Sequence, residues 1–234
     1  MLRIYATPVQ DVQNTNMTEQ LKKFWDLESI GIRGDEGSVY EKFVEEVRFN
    51  VERYEAKLPF KKHHPIIPDN HAISVRRLGR LVHRLQEQPP LLTEYNSIIQ
   101  NEIKKGVVEP VNPHVTPRVG SVHYLPHRKV LRTDQNTTKV SVVYDALAKT
   151  TGPSLKDCLY AGPFLTLLNN FRYPSAFSCQ PIAMTADSEK AFLNIAISEE
   201  HRDFLRFLWL SDPYSSNSNI IPLRFTRVVF GVTS

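Results

Sequence analysis

Cysteine is nearly absent from this sequence: Cys158 and Cys179 are the only two among 234 residues. They share no paired spacing, which excludes a disulfide framework or a cysteine-built zinc site and fits a reducing compartment. Apolar runs are short, and none approaches the ~18 residues of a membrane-spanning helix. The opening Met1-Leu-Arg-Ile-Tyr-Ala-Thr-Pro lacks the apolar core of a signal peptide. The expectation is a soluble intracellular protein, cytoplasmic or nuclear, with no membrane partner. Internal repeats and low-complexity tracts are missing. So are the phosphate-binding G-x-x-x-x-G-K-[ST], the dinucleotide G-x-G-x-x-G, the esterase G-x-S-x-G and the zinc-protease H-E-x-x-H patterns. Charge of one sign is also scarce: Lys and Arg number 29 against 25 Asp and Glu, with a pI near 9.0. That balance tolerates a polyanionic partner without demanding one.

What is present is ordinary globular material, 41% hydrophobic and 23% charged, with sixteen prolines against nine glycines. That excess of proline favours extended segments and sharp turns. Short helices are expected from Thr18 to Ile30 and from a capping-box pattern at Ser38-Val-Tyr-Glu41. Tyr54, Ala56 and Leu58 alternate as a strand does. From Asn70 to Gln88, Val75, Leu78, Leu81, Val82 and Leu85 recur at helical spacing, and Arg76, Arg77, Arg80 and Arg84 fall opposite them. Pro89-Pro90 is expected to end that helix. A second helix carries Leu92, Tyr95, Ile99 and Ile103, with Gly106 placed for a left-handed C-terminal turn. Strands are expected at Val107–Val111, Gly120–Leu125, Lys139–Asp145, Ile182–Asp187, Phe204–Leu210 and Leu223–Phe230, with a helix at Pro163–Phe171. The irregular mixture indicates an α+β fold. His123 and His127 are four apart, but Pro126 between them opposes the helix that would align both on a metal. They are expected as polar residues on a strand and its turn.

The stretch richest in chemistry is Ile182-Ala-Met-Thr-Ala-Asp187-Ser-Glu-Lys-Ala-Phe192. An apolar strand delivers one carboxylate at its end and then an aromatic residue. An isolated Asp after a strand is commonly a helix cap. Phosphoryl transfer also needs carboxylates at rigid strand ends, where two metal ions ~3.5–4 Å apart clamp the reacting oxygens.

This stretch resembles the first catalytic motif of reverse transcriptases, in the Asp-x-Glu-Lys-Ala-Phe form of Bel/Pao-type LTR retrotransposons. Further segments follow in the same order as in that family. Phe24-Trp-Asp-Leu-Glu-Ser-Ile-Gly31 resembles its link between protease and polymerase, and Arg53-Tyr-Glu-Ala-Lys-Leu-Pro-Phe60 the entry to its fingers. Val122-His-Tyr-Leu-Pro-His127 and Thr138-Lys-Val-Ser-Val-Val-Tyr-Asp145-Ala-Leu-Ala-Lys149 resemble its second block. Ser154 to Pro163, Arg206-Phe-Leu-Trp209 and Arg227-Val-Val-Phe-Gly231 complete the series.

The resemblance implies the fingers and partial palm of a right-hand polymerase. Residues 1–58 would be a connector, 59–152 fingers-like, 153–199 a partial palm with the first motif, and 200–234 return strands toward the fingers. It implies that Asp187 is catalytic and ligates magnesium (Mg2+), and that Phe192 excludes a 2′-hydroxyl. Phe230 and Gly231 would lie near the nucleotide. The partners implied are an RNA or DNA template-primer and a deoxynucleoside triphosphate (dNTP). Two departures stand out. Ser141 occupies the place of an arginine that contacts the triphosphate in the family, with Lys139 and Arg132 nearby on faces that the sequence leaves open. The family's aromatic-x-Asp-Asp hairpin does not occur before Ser234, so the chain is expected to be inactive alone, with its reading frame resuming downstream. A retained nucleic-acid-binding module and a protein-interaction domain are the alternatives. Arg76, Arg77, Arg80 and Arg84, falling in the fingers-like region, favour weak strand binding over a merely solvated helix face.

Overall fold

The computed structural model describes residues 3–6, 45–113, 117, 120–134, 137–160, 182–185, 191–215, 217–229 and 232. The chain divides into two compact units, one formed by 1–45 with 161–191 and the other by 46–160 with 192–234. In chain order the strands are β1 (Arg3–Ala6), β2 (Arg48–Asn50), β3 (Arg53–Ala56), β4 (Val108–Pro110), β5 (His127–Asp134), β6 (Thr137–Tyr144), β7 (Ile182–Thr185), β8 (Ala196–Ile197), β9 (Arg206–Leu210) and β10 (Ile220–Phe225). The helices are α1 (His71–Gln86), α2 (Pro89–Lys104), α3 (Leu155–Cys158) and α4 (Glu199–Arg202). In the first unit β1 pairs antiparallel with β7, Ile4 opposite Met184. The remaining elements belong to the second unit.

Within the second unit the core lies between the sheet β4-β10-β9 and helices α1 and α2. The 3.6-residue period of α1 is used as the sequence predicts: Leu78, Leu81 and Leu85 are buried, with Val75 and Val82 packed at the margin. Tyr95 and Ile99 of α2 are fully buried. Gly106, at φ 65°, turns the chain out of α2 through the left-handed region that favours glycine. Helix α1 stops at Gln86, just ahead of Pro89-Pro90 as expected, and the pair also opens α2 at its first turn, where proline's missing N–H would have no helical acceptor anyway.

Other expectations are corrected. Gly120–Leu125 forms no strand beyond a single parallel bridge from Tyr124 to Arg206. A strand absent from the sequence reading, β5, pairs along its whole length with β6, from His127 opposite Tyr144 to Asp134 opposite Thr137. A third sheet sets β3 between β2 (antiparallel) and β8 (parallel). The expected segments 18–30, 38–41 and 163–171 lie outside the described residues.

His127 opens strand β5, and both His123 and His127 are buried in the core, with relative exposures of 0% and 7%. His127 shows how a buried imidazole is satisfied. The Tyr95 hydroxyl lies 2.6 Å from Nδ1, and Nε2 lies 2.9 Å from the Leu208 carbonyl. A carbonyl only accepts, so Nε2 carries the proton and Nδ1 accepts from the tyrosine. Each ring nitrogen is engaged, and burial pushes the pKa of His127 down to about 4. His123 places Nδ1 2.7 Å from the Pro68 carbonyl, while its buried Nε2 has no partner among the described residues.

Candidate nucleic-acid interface

The exposed side of α1 carries the basic residues singled out in the sequence. Arg76, Arg80 and Arg84 stand at successive i, i+4 positions and so form one stripe, about 12 Å long at 1.5 Å per residue. All three are exposed. None has an ion-pair partner among the described residues. Arg84 instead directs Nε back to the Arg80 carbonyl at 3.2 Å. The stripe ends at His83 and Glu87, whose side chains are 3.3 Å apart.

Arg77 is one position off the stripe and behaves differently. Its Nη1 donates to Asp145 Oδ2 at 2.6 Å. Both side chains are more than a third exposed, at 41% and 35%, so the pair contributes under about 1 kcal/mol of stability. It matters more for placement, because it ties α1 to the residue that follows β6. Asn70, just ahead of α1, makes the parallel connection. It sits at φ 58°, in a left-handed conformation that asparagine tolerates better than most residues. Its buried amide donates to the Ala148 carbonyl at 2.8 Å. Two contacts thus hold the N-terminal half of α1 against residues 145–148.

Phe192 lies on the 3-10 turn Ala191–Asn194 and is 39% exposed. Asp187, Phe230 and Gly231 lie outside the described residues. Among the described residues no group of three or more His, Cys, Asp or Glu could hold a metal ion. No helix among them is long and apolar enough to cross a membrane.

The sequence reading did not anticipate the charged cluster at the edge of the core. Arg224 reaches Glu109 at 2.7 Å and Asp203 at 3.1 Å, and it also pairs with Glu199. Arg206 holds Asp203 at 3.0 Å, and Arg202 holds Glu199 at 2.6 Å. Three arginines meet three carboxylates, so the cluster is internally neutral and offers no free charge to a ligand. Its origin is in the register: Arg206 and Arg224 are cross-strand partners in β9 and β10, and like charges at such positions need carboxylates beside them. This cluster therefore adds no free cation to the α1 stripe.

No protein-family model matches the chain, and no curated protein matches it.

Proposed function

We propose that this chain carries the fingers and first part of the palm of a Bel/Pao-type reverse transcriptase and contacts nucleic acid through the α1 stripe. The observation that carries the reading is the ordered series of motifs from Phe24 to Gly231, centred on Asp187-Ser-Glu-Lys-Ala-Phe192. Three exposed arginines without ion-pair partners, on a helix braced by Arg77 and Asn70, support the binding half of the proposal. Nothing on that stripe reads base edges specifically, so binding is sequence-independent and driven by release of counterions from the phosphates.

Fluorescence anisotropy with a labelled single-stranded oligonucleotide tests it. Weak binding should fall steeply with salt. The triple variant Arg76→Ala, Arg80→Ala, Arg84→Ala should flatten the log-log salt slope by about 2, at roughly 0.7 per lost phosphate contact. A slope unchanged by the triple variant removes the stripe from the interface.

Catalysis has a separate test. The 234 residues contain no Asp-Asp pair, and Ser141 stands where a triphosphate-binding arginine belongs in the resembling family. The polypeptide of residues 1–234 should give no primer extension with magnesium above a no-enzyme control. A missing metal ligand and a missing triphosphate contact each raise the barrier by several kcal/mol, and each ~1.4 kcal/mol is tenfold in rate. Extension that disappears in Asp187→Asn would overturn this reading.

A further inference from the structure

Beside β2, β3 and β8 the second unit holds a cavity of about 330 Å3, at the small end of the range for ligand sites. Register decides which side chains face it. Glu55 stands opposite Ala196, and the buried pair Ala56 and Ile197 follows. Ser198 comes next and continues the pairing, its amide donating to the Ala56 carbonyl at 3.1 Å. Alternation therefore turns Ser198 away from the core and onto the face of Glu55. Arg48, the cross-strand partner of Glu55, also lines the cavity, as do Glu46, Lys57 and, from α4, Glu199 and Glu200.

Some of these charges are already paired. Lys57 holds Glu200 at 2.7 Å, and Glu199 is held by Arg202 and Arg224. Glu46 and Glu55 have neither a hydrogen bond nor an ion pair among the described residues, and the exposed guanidinium of Arg48 offsets only one of them. Ser198 is an independent sign of a missing ligand. It is 8% exposed, and its hydroxyl has no partner among the described residues. A serine at the start of a helix ordinarily spends that hydroxyl on a backbone amide, as Ser154 does ahead of α3. Ser198, ahead of α4, makes no such bond. Three acceptors, two of them anionic, thus line one small cavity. A primary ammonium carries three N–H donors and no acceptor, which matches that set. A metal ion fits less well, because among the described residues no three such side chains are grouped to ligate one.

We infer that this cavity binds a primary alkylammonium, the group shared by lysine side chains and free diamines, with Glu46, Glu55 and Ser198 as its acceptors. The site is independent of the α1 stripe and of nucleic-acid binding.

Calorimetric titration of the full chain with cadaverine and with acetyl-lysine methylamide tests it. Pentyltrimethylammonium, which keeps the charge but has no N–H donor, is the control. Both amines should bind, and the control should bind about tenfold more weakly or worse. Glu46→Gln and Glu55→Gln should each weaken the amines about tenfold, the effect of losing a hydrogen bond between charged groups. Ser198→Ala should weaken them about threefold or more. Its melting temperature without ligand should stay level or rise, because an unpaired buried hydroxyl is gone. That combination separates a ligand-binding serine from a structural one. Equal binding of the two amines shows that the site accepts a lysine side chain, and binding of cadaverine alone assigns it to free diamines; either result upholds the ammonium site. A control that binds as well as the amines overturns it, as does amine affinity unchanged in all three variants. A wild type that binds neither amine also overturns it and leaves the nucleic-acid reading standing.

Discussion

Replacing Trp209 with Ala should lower the unfolding free energy by about 4 kcal/mol, within the ~3–5 kcal/mol range of large aromatic deletions. Trp209 of β9 is completely buried. Its ring lies 5.2 Å from that of Tyr95 and 5.8 Å from that of His127. Its indole N–H donates to Asn96 Oδ1 at 3.0 Å. The alanine variant therefore loses transfer energy, opens a cavity between β9 and α2, and strands an amide oxygen. A single domain has only about 5–15 kcal/mol to lose, so urea titration should register the change as a large drop in midpoint. Tyr214→Ala, at a site 60% exposed, is the control and should shift stability by about 0.5 kcal/mol at most. Trp209→Phe should retain more than half of the wild-type advantage over Ala. A loss below ~1.5 kcal/mol for Trp209→Ala would mean that the site collapses freely and that this aromatic cluster is not a rigid core.

Acid should weaken the fold through His127. In the unfolded chain its imidazole titrates near 6.5, and in the folded protein burial lowers that to about 4. Between those values the unfolded state binds more protons, so stability rises with pH across the window and falls on acidification. The stabilising effect is complete above pH 6.5 and is lost as pH falls toward 4. The difference of about 2.5 units corresponds to roughly 3 kcal/mol at the acid end. Burial lowers His123 in the same direction and adds to the effect. Asp157 is separable: hydrogen bonds from Ser154 hold its carboxyl down at about 2, so what it contributes is lost only below pH 4. Unfolding measured at pH 7 and pH 4.5 for the wild type and His127→Gln should show a flatter pH dependence in the variant, even though it is less stable at neutral pH. Parallel pH profiles would show that His127 accepts its proton without leaving the folded state.

The parts of this molecule visible in the sequence are those fixed by local periodicity. Helix α1 is legible because three leucines and two valines repeat at its period, and Gly106 is legible because a helix end needs a residue that tolerates positive φ. Strand β5 is not legible. His127-Arg-Lys-Val-Leu-Arg-Thr-Asp134 has no clean alternation, and only its pairing with β6 makes it a strand. The burial of the histidines is not legible for the same reason. His127 is satisfied by Leu208, 81 positions away, and no spacing rule reaches that far. In the candidate interface the stripe itself was legible, but not the engagement of Arg77 with Asp145, 68 positions away. Nor was the self-neutralised state of Arg202, Arg206 and Arg224. Asp187, Phe230 and Gly231 rest on the family resemblance, since an Asp at a strand end has no unique local meaning.

The register of the central sheet also dictates when this chain can fold. Val108 of β4 is hydrogen-bonded beside Phe225 of β10, and Glu55 of β3 waits for Ala196 of β8. The backbone amide of Leu58 donates to a ring nitrogen of His201. Local helices can form early, but their apolar faces have no sheet to cover them until residue 225 has been made. At ~5–20 residues per second, the 117 residues from 108 to 225 take roughly 6–23 s to synthesise. During that interval the leucine face of α1 and the apolar face of α2 around Tyr95 are exposed on the nascent chain. Its high proportion of distant pairings makes the subsequent closure slow as well. The second unit is therefore a protein whose vulnerability to aggregation is set on the ribosome, by the distance along the chain between the two halves of its core.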